Sequence, residues 1–228
     1  MTPAPPAARA LLLSALVLAL DLVLLTLGVG GVTRLLHHTR ALALFATWLI
    51  AYPTLAVLRP VRSHDPVAGR SAPRVLIALF LIPLVTPPLA ALAERAGLAP
   101  LPGGGLTRWG GVALAALGLA LRIAAMMRLG SRFSPVAALQ RGHTLETGGI
   151  YGVVRHPGYL GAWLCDLGIV LAFGSAPALL LPLAMAIAIA VRVRSEERLL
   201  AGQFGDAYRA YRSRVGGFVP RPGAPPSL

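Results

Sequence analysis

Long, nearly uninterrupted apolar runs dominate this chain, and they restrict it to structures that a lipid bilayer can hold. A spanning helix needs about 20 mostly apolar residues, because the hydrocarbon core is about 30 Å thick and each residue rises about 1.5 Å. Six segments qualify: Ala8 to Val32, Ala41 to Leu58, Arg74 to Ala93, Trp109 to Leu129, Pro157 to Phe173 and Ala176 to Val193. The last two form a tight pair, broken by Phe173-Gly174-Ser175-Ala176-Pro177, whose Gly and Pro punctuate the run. With 56% hydrophobic and 13% charged residues, against about 25% charged in an average soluble protein, a soluble fold is excluded. The expected class is all-α: a polytopic membrane protein of about six helices, with a C-terminal helical hairpin and an amphipathic cytoplasmic helix.

The formal charge of +13 invites a nucleic-acid reading, which the placement of the charge removes. The chain has no Lys, and with both termini in the cytoplasm sixteen of its 21 Arg fall on that side. Arg34, Arg40, Arg95 and Arg108 fall on the other, and Arg122 lies inside a span. This is the positive-inside pattern, and attraction to anionic lipid accounts for it; membrane lipids are expected partners and nucleic acid is not. The oligomeric state is not legible.

The first span resembles the apolar core of a secretory signal, but the run continues without a clear cleavage site before Gly28, so it reads as an uncleaved helix. Cys165 is the only cysteine; it precludes an internal disulfide and reads as a packing residue.

Residues 1–105 read as a transmembrane scaffold of three spans, closed by the turn-rich connector Ala99 to Gly105. Pro83, Pro87 and Pro88 remove backbone donors from the third span and predict a kink. Asp21 is costly inside the first span; it reads either as a protonated or interfacial residue without a role or as a partner of Arg122. Residues 106–222 form the region that carries chemistry, and residues 223–228 a disordered tail. Within that region Leu129 to Tyr159 is too polar to span and too long for a tight turn, as functional loops tend to be. From Ser195 to Val215 the apolar residues Leu199, Leu200, Phe204, Tyr208, Tyr211 and Val215 recur at threes and fours. This predicts an amphipathic helix that extends the sixth span or lies on the surface.

The polar loop runs into its helix as Arg155-His156-Pro157-Gly158-Tyr159. Proline is favoured at the first helical position, so Pro157 marks the start and His156 sits at a helix N-terminus, where unpaired donors and the dipole receive anions. Tyr159 follows three residues on, on the same face. Arg192 and Glu196 share a face of the sixth span one turn apart, with Glu197 on an adjacent face. A tight hairpin of nearly equal arms brings its two ends together, so His156, Tyr159, Arg192 and Glu196 are expected around one pocket. Taken singly, these residues read as a helix cap, a surface ion pair and an interfacial aromatic belt. Their concentration in so short a stretch of an apolar chain favours a site. The His spacing and lone Cys exclude a metal centre, and Ser131, Ser134 and Thr144 have no triad partners.

Several of these stretches resemble one family. They are Leu129-Gly130-Ser131-Arg132-Phe133-Ser134, Gly142-His143-Thr144-Leu145, Thr147-Gly148-Gly149-Ile150-Tyr151, Arg155-His156-Pro157-Gly158-Tyr159-Leu160-Gly161, Glu196-Glu197-Arg198-Leu199-Leu200, Phe204-Gly205, Tyr208 and Tyr211. Together they are similar to the isoprenylcysteine carboxyl methyltransferases over residues 110 to 222. The resemblance implies S-adenosylmethionine as cofactor, in a pocket at the cytoplasmic membrane edge. By the same resemblance His143, Thr144, Leu145, Glu146, Tyr151, His156, Pro157, Gly158, Tyr159 and Glu196 bind the cofactor, and Arg192 contacts the substrate. Glu197 joins the cofactor-binding candidates as the neighbour of Glu196. The expected partner is a lipophilic or small methyl acceptor whose carboxylate, thiol or amine is modified. Two other readings stay open: a nicotinamide-dependent membrane reductase, which shares the Arg-His-Pro-x-Tyr feature, and a non-enzymatic transporter or lipid-binding protein, suggested by Asp21 and Arg122 within spans. The bacterial inner membrane, with both termini in the cytoplasm, is the expected location.

Overall fold

The structure, a computed structural model, describes residues 6–58, 73–129 and 145–221. Eight α-helices follow in order: α1 (Pro6–Val29), α2 (Val32–His37), α3 (Thr39–Leu58), α4 (Pro73–Arg95), α5 (Gly104–Leu129), α6 (Ile150–Val153), α7 (Pro157–Phe173) and α8 (Leu180–Arg214). Among the described residues there is no strand, only the isolated bridges Pro100–Ser175 and Val154–Gly216. The protein is an all-α polytopic membrane protein. Its helices turn large apolar side chains outward, among them Leu12, Leu27, Ile50, Phe80, Leu117 and Ile187. Water would penalise such surfaces and a bilayer accepts them.

Among the described residues, five helices are long and apolar enough to cross a bilayer. The expected sixth, α7, has 17 residues, at the short end of the spanning range of about 17 to 25. It ends where the Gly-Pro break predicts: Gly174 adopts the left-handed conformation (φ 69°, ψ 38°) and its N–H returns to the Val170 carbonyl. That helix stop is suited to a residue without Cβ. A turn of 3-10 helix at Pro177–Leu179 then leads into α8, and Trp163 Nε1 donates to the Pro182 carbonyl at 2.9 Å, tying the two arms together.

The closest helix pair is α5 with α7. Gly111 and Gly118 of α5 meet Gly168 and Gly161 of α7, with Ala115 and Cys165 between them. A Cβ on Gly118 would lie 2.5 Å from the Gly161 carbonyl, and one on Gly168 would lie 2.4 Å from the Ala115 nitrogen. Small residues spaced by fours and threes on both helices let the backbones touch, as membrane helix pairs do where lipid offers no hydrophobic driving force. Cys165 is buried in this seam, in keeping with its reading as a packing residue. Around the pair, α4 packs on α1, α7 and α8, and α3 packs on α1 and α5. The helical assignment runs unbroken through Pro83, Pro87 and Pro88.

Two charged residues inside the spans depart from expectation. Asp21 is buried but does not meet Arg122; its Oδ2 accepts the Tyr52 hydroxyl at 2.7 Å. Arg122 instead donates Nη1 to the Gly158 carbonyl at 3.1 Å. The nearer partner is a phenol one helix away, on α3, which satisfies the carboxyl without a second buried charge. Tyr52→Phe is therefore expected to lower stability by on the order of 0.6 to 1.7 kcal/mol, the range for side-chain hydrogen bonds within membranes. Thermal unfolding in detergent reads this directly, and an unchanged midpoint would show that the bond contributes nothing. Asp166, a second carboxyl buried inside a span, was not singled out from the sequence; it lies in α7 and interacts with Thr86 of α4.

Candidate functional site

The loop before α7 is short of regular structure, so its backbone groups find partners far along the chain. Arg155 N–H donates to the Gly216 carbonyl at 2.8 Å and His156 N–H to the Gly217 carbonyl at 3.1 Å. The chain after α8 thereby closes over the start of α7. Pro157 takes the first helical position, as its fixed φ and missing donor dictate, and is fully buried.

The predicted meeting of the hairpin ends is present. Arg192 Nε donates to the Tyr159 hydroxyl at 2.9 Å, and that hydroxyl donates to Glu196 Oε2 at 2.9 Å. Arg192 is 2% exposed, an arginine that a protein interior accepts only with its donors satisfied. His156 is also buried; its ring lies 6.1 Å from that of Tyr159 and 5.7 Å from that of Phe218. Tyr151, at the start of the one-turn helix α6, lies against the same group. Its hydroxyl donates to the Ala125 carbonyl at 3.4 Å, and its own carbonyl accepts the Tyr211 hydroxyl at 2.6 Å. Burial raises the Tyr151 phenol above its ordinary pKa, and the carboxylates of Glu196 and Glu146 add to the rise. Tyr151 therefore stays a neutral hydroxyl.

Glu196 and Glu197 have separate surroundings. Where Glu196 faces Tyr159, the Glu197 carboxylate gathers nitrogen partners: Arg155 at 2.8 Å, His156 Nε2 at 3.1 Å and Arg212 at 3.6 Å. Arg155 also donates to the carbonyls of Arg212 and Val215. The hydrogen bond from His156, then those from Arg155, hold the Glu197 carboxyl down at about 2, in the charged part of α8 beyond its apolar stretch. Glu197 is thus an ionised clamp between the α7 entrance and the last turn of α8.

Glu146 accepts from Arg128 Nε at 3.2 Å and from the Gly148 N–H at 3.1 Å. Leu145 packs against Tyr208, Tyr211 and Val215. Gly158 faces Ala125 of α5, where a Cβ would lie 3.6 Å from the alanine methyl. His143 and Thr144 lie outside the described residues, as does the tail from residue 222. The amphipathic helix is the continuation of α8, interrupted at Gly205 (φ 51°, ψ −120°). Its face of Leu200, Phe204, Tyr208, Tyr211 and Val215 packs inward on Leu145 rather than lying on the surface. Sequence reasoning missed Arg155 as a partner of Glu197 and Phe218 as a ring contact of His156. Among the described residues no group of His, Cys, Asp or Glu could hold a metal ion.

Residues 111–202 match the model of the isoprenylcysteine carboxyl methyltransferase family. The chain is 38% identical over 107 residues to the protein-S-isoprenylcysteine O-methyltransferase of Schizosaccharomyces pombe, covering 46% of this chain and 45% of that protein. Identity to its Mus musculus counterpart is 32% over 108 residues, 46% of this chain and 38% of the relative. The methanethiol S-methyltransferase 2 of Bradyrhizobium diazoefficiens is 40% identical over 85 residues, 35% of this chain and 30% of that protein. The chain thus spans less than half the length of these relatives. The family match nonetheless runs from α5 through the first two thirds of α8 and contains Tyr159, Arg192, Glu196 and Glu197, and over this region the chain is similar to the isoprenylcysteine carboxyl methyltransferase family.

Proposed function

We propose that this protein is a membrane methyltransferase that uses S-adenosylmethionine to methylate a lipophilic or small acceptor at the membrane edge where α7 begins. The line Arg192–Tyr159–Glu196, with Arg192 buried and the other two half-buried, is the observation that carries this reading, because it sets a cation and an anion at opposite ends of one fixed phenol. S-adenosylmethionine, when bound, supplies an activated methyl group on a positive sulfonium.

The residues present fit such a molecule. Glu196 suits its ammonium or its ribose diol. In the first turn of α7 the N–H groups of Gly158 and Tyr159 have no helical partner, and they suit its carboxylate. The rings of Tyr151, His156 and Tyr159 suit a cation against an aromatic face. Leu145 and Glu146 are assigned to the remaining wall, the part of His143 and Thr144 rests on the resemblance alone, and Pro157 fixes the angle at which α7 starts. To Glu197 we assign positioning rather than contact, since Arg155 and His156 already occupy its carboxylate.

Arg192 is assigned to the acceptor. One relative's name specifies O-methylation of an S-isoprenylcysteine and another's S-methylation of methanethiol. Acceptors of both kinds carry negative charge on the attacking atom once deprotonated, and a buried guanidinium favours that charge. An acceptor already ionised at neutral pH needs alignment more than a base. The excess of Arg on the side holding the site supports a cytoplasmic site with both termini on that side, and we infer a bacterial inner membrane.

Titration calorimetry with S-adenosylhomocysteine tests the cofactor. Glu196→Ala and His156→Ala are expected to weaken binding tenfold or more, as loss of a charge-assisted hydrogen bond of about 1.5 to 3 kcal/mol implies. Absence of any heat with the folded wild-type protein in detergent would overturn the proposal.

A further inference from the structure

At the membrane face opposite the candidate site, the break between α1 and α2 creates a second group of charged residues. Gly30 and Gly31 take φ of 96° and 117° and turn the chain out of α1. As a result Arg34, His37, His38 and Arg40 line a pocket of about 510 Å³ with Glu94 and Arg95 from the end of α4.

Glu94 is the only carboxylate among the pocket's described lining residues, and it is heavily engaged. Its oxygens accept from His38 Nε2 at 3.0 Å, Arg40 Nη2 at 2.8 Å and Arg108 Nη1 at 3.2 Å. Arg34 and Arg95 have no hydrogen-bond or ion-pair partner among the described residues. Yet their guanidinium groups reach the same point above the backbone: a Cβ on Gly30 would lie 2.5 Å from Arg95 Nη1 and 2.8 Å from Arg34 Nη1. Two like charges converging without an acid between them repel each other, and an anion joining them reverses the sign of that interaction.

The surroundings distinguish among anions. Val29 and Ala91 line the pocket among its charges, and Val32 and Leu36, one turn apart on α2 and each 63% exposed, give α2 an apolar outer face next to its lining residues. A free anion has no use for that face. A lipid phosphate does, because its oxygens match the forked guanidinium donors while its acyl chains lie along apolar side chains.

We propose that the pocket between α2 and the end of α4 binds the phosphate of an anionic phospholipid, held between Arg34 and Arg95 with its acyl chains against Val32 and Leu36. Native mass spectrometry of the full-length protein in detergent, titrated with phosphatidylglycerol or phosphatidylcholine, tests it. The wild type is expected to retain phosphatidylglycerol preferentially. Arg34→Gln and Arg95→Gln should each lower the preference about fivefold, and the double variant should remove it. The single variants keep the test open should the double variant fold poorly. Arg209→Gln, at an exposed cation beside Asp206 on the other face, should leave the preference intact. Equal retention by the wild type and both single variants would overturn the proposal. So would displacement of phosphatidylglycerol by an equimolar amount of inorganic phosphate, which would show that charge alone is bound.

Discussion

Gly161→Leu is expected to give no folded protein in detergent. A Cβ at this position would lie 2.5 Å from the Gly118 carbonyl oxygen and 2.7 Å from the Arg122 nitrogen. Both are backbone atoms of α5 and neither can rotate away. Even Gly161→Ala must push the helices apart, at the cost of about 1 to 3 kcal/mol that overpacking brings. Leucine adds three more carbons and would separate α5 from α7 along the seam, breaking the Gly111–Gly168 and Gly118–Gly161 contacts together. Gly110→Leu is the control: it lies on α5, the partner helix, with nothing within 4 Å of its added Cβ, and it should behave as the wild type. Monodispersity on size exclusion and the thermal midpoint measure both. A Gly161→Leu protein that elutes and melts like the wild type would show that the close approach of α5 and α7 is not required.

The second large effect is on activity. Arg192→Leu should lower kcat/KM by about a thousandfold, since removing one member of a buried charged group costs about 3 to 5 kcal/mol and each 1.36 kcal/mol is tenfold in rate. Binding of S-adenosylhomocysteine should fall far less, because Tyr159 still donates to Glu196. Arg192→Lys should not rescue the loss, as an ammonium lacks the planar fork that reaches Tyr159 while still presenting donors elsewhere. Transfer of label from the methyl donor to the acceptor that the wild-type protein labels in membranes is the measurement. Activity of Arg192→Leu within tenfold of the wild type would remove Arg192 from the reaction.

Much of the fold was legible because apolar length is a one-dimensional property. The helices fell where the apolar runs lay, and the Gly174 stop was readable as punctuation. The meeting of Tyr159 with Arg192 and Glu196 was also legible, because two arms of nearly equal length joined by a short turn must bring their ends together. What escaped was pairing between separate helices. Gly111 and Gly118, or Gly161 and Gly168, read alone as weak points in a helix; they acquire meaning only when the two helices face each other. Asp21 was recognised as needing a partner, but nothing along the chain distinguishes Arg122 from Tyr52. The separation of Glu196 from Glu197 escaped for the same reason: adjacent residues on a helix point about 100° apart, and which of them meets Arg155 depends on where residues 216–218 return.

That return has a consequence for the order in which the protein is made. The N–H groups of Arg155 and His156 find their acceptors at Gly216 and Gly217, about 60 residues later in the chain. During synthesis α7 can enter the membrane and pack on α5 well before those carbonyls exist. The scaffold is therefore complete while the entrance to α7 is still unfinished. The nascent chain acquires the geometry around His156 only once residues 216 and 217 have been made, so a polypeptide that stops short of Gly216 can be inserted and still have no site.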